Sequence, residues 1–127
     1  MATTIIESKA APAPIGPYSQ AVMAGNTLYV SGQIPLDQST GQLVEGDIQA
    51  ETHQVMKNLQ YILQEAGMNF SNVVKCSIFV KDLGNFGAIN ETYGSYFPSN
   101  EPARETVEVS RLPKDVNVEI SCIAVKF

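Results

Sequence analysis

The residues best equipped for chemistry are an arginine and a glutamate in two strand-like stretches, Arg104 within Pro102-Ala103-Arg104 and Glu119 within Val118-Glu119-Ile120. A guanidinium offers a planar fork matched to a carboxylate and stays charged at any working pH, so Arg104 is suited to holding a small acid. On spacing alone, an ion pair with Glu105 or Glu108 would occupy it equally well. Glu119 is either an outward, solvated carboxylate or a partly desolvated acid with a raised pKa, suited to proton transfer. Ser31-Gly32 ends a strand at a turn, where a hydroxyl and an N–H with no Cβ beside it can both reach an anion, although plain turn punctuation would use the same pair. Tyr18 can close an apolar pocket and donate one hydrogen bond, or it can simply pack. Asn90 can serve a cleft or only a helix surface, and Asp115 and Glu108 read as solvated or structural carboxylates.

These groups need a scaffold, and the pattern supplies an α+β one. The stretch Ala10 to Tyr18 carries three prolines and a glycine, which makes it an irregular loop. Strand-like pieces Ser19–Ala24 and Thr27–Ser31 follow, joined by Gly25-Asn26, a hairpin turn. Asp37 to Gly41 reads as another loop. From Ile48 to Ala66 the apolar residues fall at three-and-four spacing and Gly67 supplies a stop, which predicts an amphipathic helix. Val73–Val80 is β-branched and strand-like. Asp82 to Asn85 offers caps for a second helix, with Phe86, Ile89, Tyr93 and Phe97 on one stripe and Pro98 as its end. Arg104–Val109 and Val118–Val125 are the last strands, joined through Leu112 to Asp115.

Two helices can cover only one face of such a sheet. Alternation puts Arg104, Thr106 and Glu108 on one face of their strand and Val107 and Val109 on the other. In the last strand Val118, Ile120, Cys122 and Ala124 oppose Glu119, Ser121, Ile123 and Val125. If the purely apolar faces meet the helices, Arg104 and Glu119 both point away from them. Ile123, Val125 and Phe79 would then lie in water in a monomer, which predicts a homo-oligomer with the functional residues near its interface.

Composition narrows the classes. A chain of 127 residues is expected to form a single domain, 1–127. Its apolar runs are too short to span a bilayer. The N-terminus has no basic region followed by an apolar stretch, so the cytoplasm is the default compartment. A net charge of −5 and no run of Lys or Arg disfavour nucleic acid. Cys76 and Cys122 lie in apolar sequence without CxxC spacing, as buried reduced thiols do, and one histidine, His53, cannot build a metal site.

Four segments together carry a resemblance: Ile15 to Ala21 (IGPYSQA), Val30 to Pro35 (VSGQIP), Asn90-Glu91-Thr92-Tyr93, and Pro102-Ala103-Arg104 running into Arg111 to Ile120 (RLPKDVNVEI). In this order and spacing they resemble the Rid (YjgF-type) family of reactive-intermediate deaminases. The resemblance implies a chorismate-mutase-like fold, a homotrimer, and clefts between subunits that hold small 2-imino and 2-oxo carboxylates. It implies that Arg104 binds the substrate carboxylate, that Glu119 positions and activates water, and that Tyr18, Ser31, Gly32 and Asn90 line the cleft. Several relatives have cysteine where this chain has Thr106; a main-chain carbonyl there survives the change, and nucleophilic cysteine chemistry at that position does not.

The implied reaction is hydrolysis of 2-iminobutanoate or 2-iminopropanoate, released by pyridoxal-phosphate-dependent dehydratases, to a 2-oxo acid and ammonia. A protonated imine is already electrophilic, so no cofactor is required. One rival is a sensor that binds a small carboxylate on the same trimer, and Glu119 discriminates against it, since anion binding gains nothing from a nearby carboxylate. Ribonuclease activity is a further rival, which the acidic balance disfavours.

Overall fold

The structure, a computed structural model, describes residues 3–127. Its main sheet has six strands: β1 (Thr4–Ile6), β2 (Ala21–Ala24), β3 (Thr27–Gln33), β6 (Val73–Val80), β7 (Ala103–Glu108) and β8 (Val118–Val125). They lie in the order β1-β2-β3-β8-β6-β7, and only the β6/β7 pair is parallel. A two-residue ladder, β4 (Leu36–Asp37) with β5 (Gln42–Leu43), stands apart. Helices α1 (Ile48–Glu65) and α2 (Phe86–Gly94) complete the α+β architecture.

Local chemistry sets the boundaries. Asp47 caps α1 by accepting from the Gln49 N–H at 3.0 Å, and just past its end Gly67, whose φ of +75° suits a residue without Cβ, turns the chain away. Between them Val55, Met56, Leu59, Ile62 and Leu63 are fully buried. Each contributes roughly 1.5–3 kcal/mol of hydrophobic stabilisation, which makes α1 the anchor of the core. The stripe meets Leu28, Val30, Ile78, Val118 and Ile120 from the sheet. Gly25, at φ +62°, forms the first central position of the β2–β3 turn.

Two buried polar contacts fix the loops near the site. Asn58 in α1 donates to the Ile34 and Leu36 carbonyls at 3.0 and 2.9 Å, which pins the chain after β3. Glu51, also in α1, is 4% exposed and accepts from Asn117 with both oxygens at 3.1 and 3.2 Å. Burial pushes its carboxyl above the ordinary range, against the lowering effect of Asn117. That contact holds the loop before β8, where Lys114 and Asp115 take positive φ.

Several expectations need correction. The N-terminal strand β1 is additional; its short sequence gives too little alternation to read. The segment 36–43 is a small hairpin rather than a plain loop. Helix α2 stops at Gly94, and Phe97 is buried from a following turn in which its N–H bonds the Gly94 carbonyl at 3.0 Å. The largest correction concerns β7. Its register sets Arg104 beside Cys76 and Thr106 beside Ile78, and both partners are core residues on the helix face. Neighbours in register share a face. Arg104 therefore points towards α2, whereas Val107, 41% exposed, points to the open face.

Candidate active site

The first half of the site grows from an irregularity in β3. Val30 pairs with Cys122 and Gln33 with Ile120, so β3 carries one residue more than β8 between these pairs. The resulting bulge at Ser31-Gly32 lies beside Glu119 and bends the strand. A Cβ built on Gly32 would collide with the Glu119 side chain, lying 2.7 Å from Cδ and 3.0 Å from Cγ. Glycine is needed there because the carboxylate lies across the β3 backbone. Half-buried Glu119 has no hydrogen-bond donor among the described residues, and burial raises its pKa above the ordinary glutamate range.

Around Glu119 an open concavity of about 340 Å³ is lined by Ile15, Tyr18, Ser31, Gly32, Ile34 and Pro113. Tyr18 is 50% exposed, and its hydroxyl accepts from the Ile15 N–H at 3.4 Å. The Ser31 hydroxyl donates to the Ser19 carbonyl at 2.6 Å, and its N–H bonds the Gln20 carbonyl at 2.9 Å. Ser31 therefore stitches the loop to β3 with its donors, a different use from the anion contact expected of its hydroxyl.

Arg104 builds the second half. Its Nη1 donates to Asn90 Oδ1 at 2.6 Å, and its guanidinium carbon lies 5.1 Å from the Tyr93 ring centre and 5.6 Å from that of Phe86. These three residues come from one face of α2, at spacings of three and four. The expected acidic rivals are engaged elsewhere: Glu105 pairs with Lys75 at 2.9 Å and bonds Ser77, and Glu108 accepts from the Leu83 N–H at 2.9 Å. Among the described residues Arg104 has no carboxylate within ion-pair distance. The fork is held by an amide and two rings with donors to spare, as an anion receptor requires.

A concavity of about 390 Å³ opens beside it, lined by Asn90, Tyr93, Gly94, Glu101, Pro102 and Arg104. Thr106, two positions along β7, has its hydroxyl oxygen buried without a partner, as does Tyr93. Burial raises the Tyr93 phenol and the Cys76 and Cys122 thiols, which keeps all three groups neutral. His53 is exposed and hydrogen-bonds the Tyr96 hydroxyl at 2.8 Å. No group of three potential metal ligands occurs among the described residues.

The two halves lie on opposite faces of one sheet. Arg104 shares the helix face with Cys76, whereas Glu119 shares the open face with Phe79. One chain brings Tyr18, Ser31, Gly32 and Glu119 together, and separately Asn90, Arg104 and Thr106. Phe86, Tyr93 and Pro113 join these groups without having been singled out for it; the three-and-four spacing of Phe86, Asn90 and Tyr93 was the available signal.

A family model described as Endoribonuclease L-PSP matches residues 8–126. The chain belongs to this family, the Rid proteins. Among curated relatives, a RutC family protein of Pyrococcus abyssi is 51% identical over 99% of both chains. A rat protein named 2-iminobutanoate/2-iminopropanoate deaminase is 49% identical over 96% of this chain and 89% of its own. The solved Rid-family protein YyfA of Yersinia pestis has a TM-score of 0.96 at 48% identity, covering 98% of this chain and all of that one. The sheet order and two-helix layer of this Rid-family chain are thus those of its relatives, and among the described residues no helix is long and apolar enough to cross a membrane.

Proposed function

We propose that this Rid-family chain is a hydrolytic deaminase of small 2-imino acids, working in clefts between the subunits of a chorismate-mutase-like homotrimer. The observation that carries the reading is the placement, on opposite faces of one sheet, of an arginine and a half-buried glutamate that among the described residues have no ion-pair partner. A cleft that uses both must draw them from two copies. The open face offers the surface for this, since Tyr29 and Val107 are 51% and 41% exposed there, beside half-buried Phe79, Ile123 and Val125. The deaminase name of the rat relative supports the reaction class.

In the proposed reaction the substrate carboxylate lies on the Arg104 fork, oriented by Asn90 and the Phe86 and Tyr93 rings. Tyr18, the Gly32 backbone and Thr106 complete the walls. Glu119 of the neighbouring copy takes a proton from water as its oxygen bonds to the imine carbon, giving a tetrahedral amino alcohol. Glu119 passes that proton to nitrogen and then takes the hydroxyl proton as the C–N bond breaks, so that a protonated imine and water give a 2-oxo acid, ammonia and a proton released to solvent. Water supplies the oxygen, so neither metal nor cofactor enters the balance. A net charge of −5 disfavours RNA as the substrate, whatever the family description.

The test generates 2-iminobutanoate in situ with a threonine dehydratase and follows its loss with and without the purified chain, alongside sedimentation equilibrium. The expected result is accelerated conversion to 2-oxobutanoate and ammonia by a trimer at micromolar concentration. An unchanged rate refutes the deaminase reading, and a monomer refutes the shared cleft.

A further inference from the structure

The loop that walls the Glu119 concavity has only turn contacts of its own, yet it carries Ile15 and Tyr18 to defined places. Besides the burial of Ala11 in the core, one side chain makes most of its hydrogen bonds. Gln20, only 2% exposed at the foot of β2, accepts from the Ser8 N–H with Oε1 at 2.7 Å. Its Nε2 donates to the carbonyls of Ser8, Ala11 and Pro12 at 3.1, 3.4 and 2.9 Å. The carboxamide thus acts as a strand edge for a proline-containing strap that cannot build a ladder of its own. Through its main-chain carbonyl Gln20 also receives the Ser31 N–H, so the same residue ties strap and bulge together.

Beside this concavity the strap leaves a recess of about 40 Å³, walled by Pro12, Ala13, Ile15, Ile34 and Leu36 with Lys114 at its edge, and the two share Ile15, Tyr18, Gly32 and Ile34 as lining. A water-sized group needs roughly 10–15 Å³ of such space. The recess therefore holds about three to four water-sized groups, enough for a short aliphatic side chain and too little for an aromatic ring. We propose that Gln20 is a positioning residue that fixes this recess, and with it the discrimination between short and bulky 2-imino acids. The inference rests on the cleft assignment above. Gln20 touches no reacting atom; it acts through the strap.

Gln20→Leu keeps the volume and removes all four contacts. Two readouts apply: exchange of the Ser8 amide against that of the α1 amides, and the preference for a short over an aromatic ligand. The preference is read in hydrolysis, as 2-iminobutanoate against 2-imino-3-phenylpropanoate. It is read independently in calorimetric binding of 2-oxobutanoate against 2-oxo-3-phenylpropanoate, so a chain that hydrolyses no imine still answers. The wild type should prefer the short ligand, and Gln20→Leu should lower that preference by about tenfold or more. The Ser8 amide should exchange faster while α1 keeps its protection. Ser8→Pro, which deletes the N–H to Oε1 together with the Ser8 hydroxyl that accepts from the Ala10 N–H and leaves the three Nε2 contacts in place, should shift the preference the same way by less, and it stands in if Gln20→Leu fails to fold. An unchanged preference in a folded variant, or a wild type that does not discriminate, overturns the inference.

Discussion

Replacing Arg104 with alanine is expected to lower kcat/KM for 2-iminobutanoate by roughly 10²–10⁴-fold, the usual consequence of truncating one partner of a desolvated, hydrogen-bonded charge pair. Among the described residues the guanidinium has one internal hydrogen bond, to Asn90, and no acidic partner, so its remaining donors are there to be used by a ligand. Arg104→Lys should recover only part of the loss, since an ammonium keeps the charge and loses both the planar fork and its stacking on Phe86 and Tyr93. Folding should be nearly unaffected, because the arginine lies on the edge strand β7 and closes no buried ion pair. Steady-state kinetics with thermal melts of the same preparations separate the two effects. Full activity in Arg104→Ala would mean that the arginine is a surface group.

Glu119→Gln should lose about 10²–10⁴-fold in turnover while keeping its affinity for 2-oxobutanoate, because glutamine preserves size and hydrogen bonding but cannot accept the proton from water. Affinity should even rise slightly as a negative charge leaves the cleft. The pH dependence follows from the direction of the shift. Burial disfavours the charged form, so the carboxyl titrates above the ordinary glutamate value. The base is ionised above that raised pKa and protonated below it. Hydrolysis should fall as pH drops through a range higher than that of an ordinary glutamate, and Glu119→Gln should show no such limb. A coupled pH–rate profile with calorimetry on the same variant checks both. Joint loss of binding and turnover would make Glu119 structural.

Periodicity and punctuation made most of the fold legible. The apolar spacing from Ile48, the Gly67 stop and the Gly25-Asn26 turn gave α1 and the β2–β3 hairpin. What periodicity could not give was the face of an edge strand. In β7 the apolar Val107 faces the open side and the charged Arg104 faces the helices, because α2 offers Arg104 an amide and two aromatic rings in place of an aliphatic core. Register with Cys76 decides this, and register is a long-range property. The roles of Gly32 and Gln20 were hidden for the same reason: one matters through a side chain in β8, the other through carbonyls eight to twelve residues away. The four motif segments identified the residues, and the fold then divided them between two faces.

The central claim is that each cleft takes Arg104 from one copy and Glu119 from another. Subunit complementation tests it most directly. Arg104→Ala and Glu119→Gln chains, each inactive alone, are coexpressed with different tags, and assemblies carrying both tags are purified and assayed on 2-iminobutanoate. In a three-fold ring every mixed trimer contains one cleft with both groups intact, so activity should return to roughly a third of wild type. If the mixed trimers stay as inactive as their parents, the two residues do not meet across an interface and the shared-cleft account is wrong.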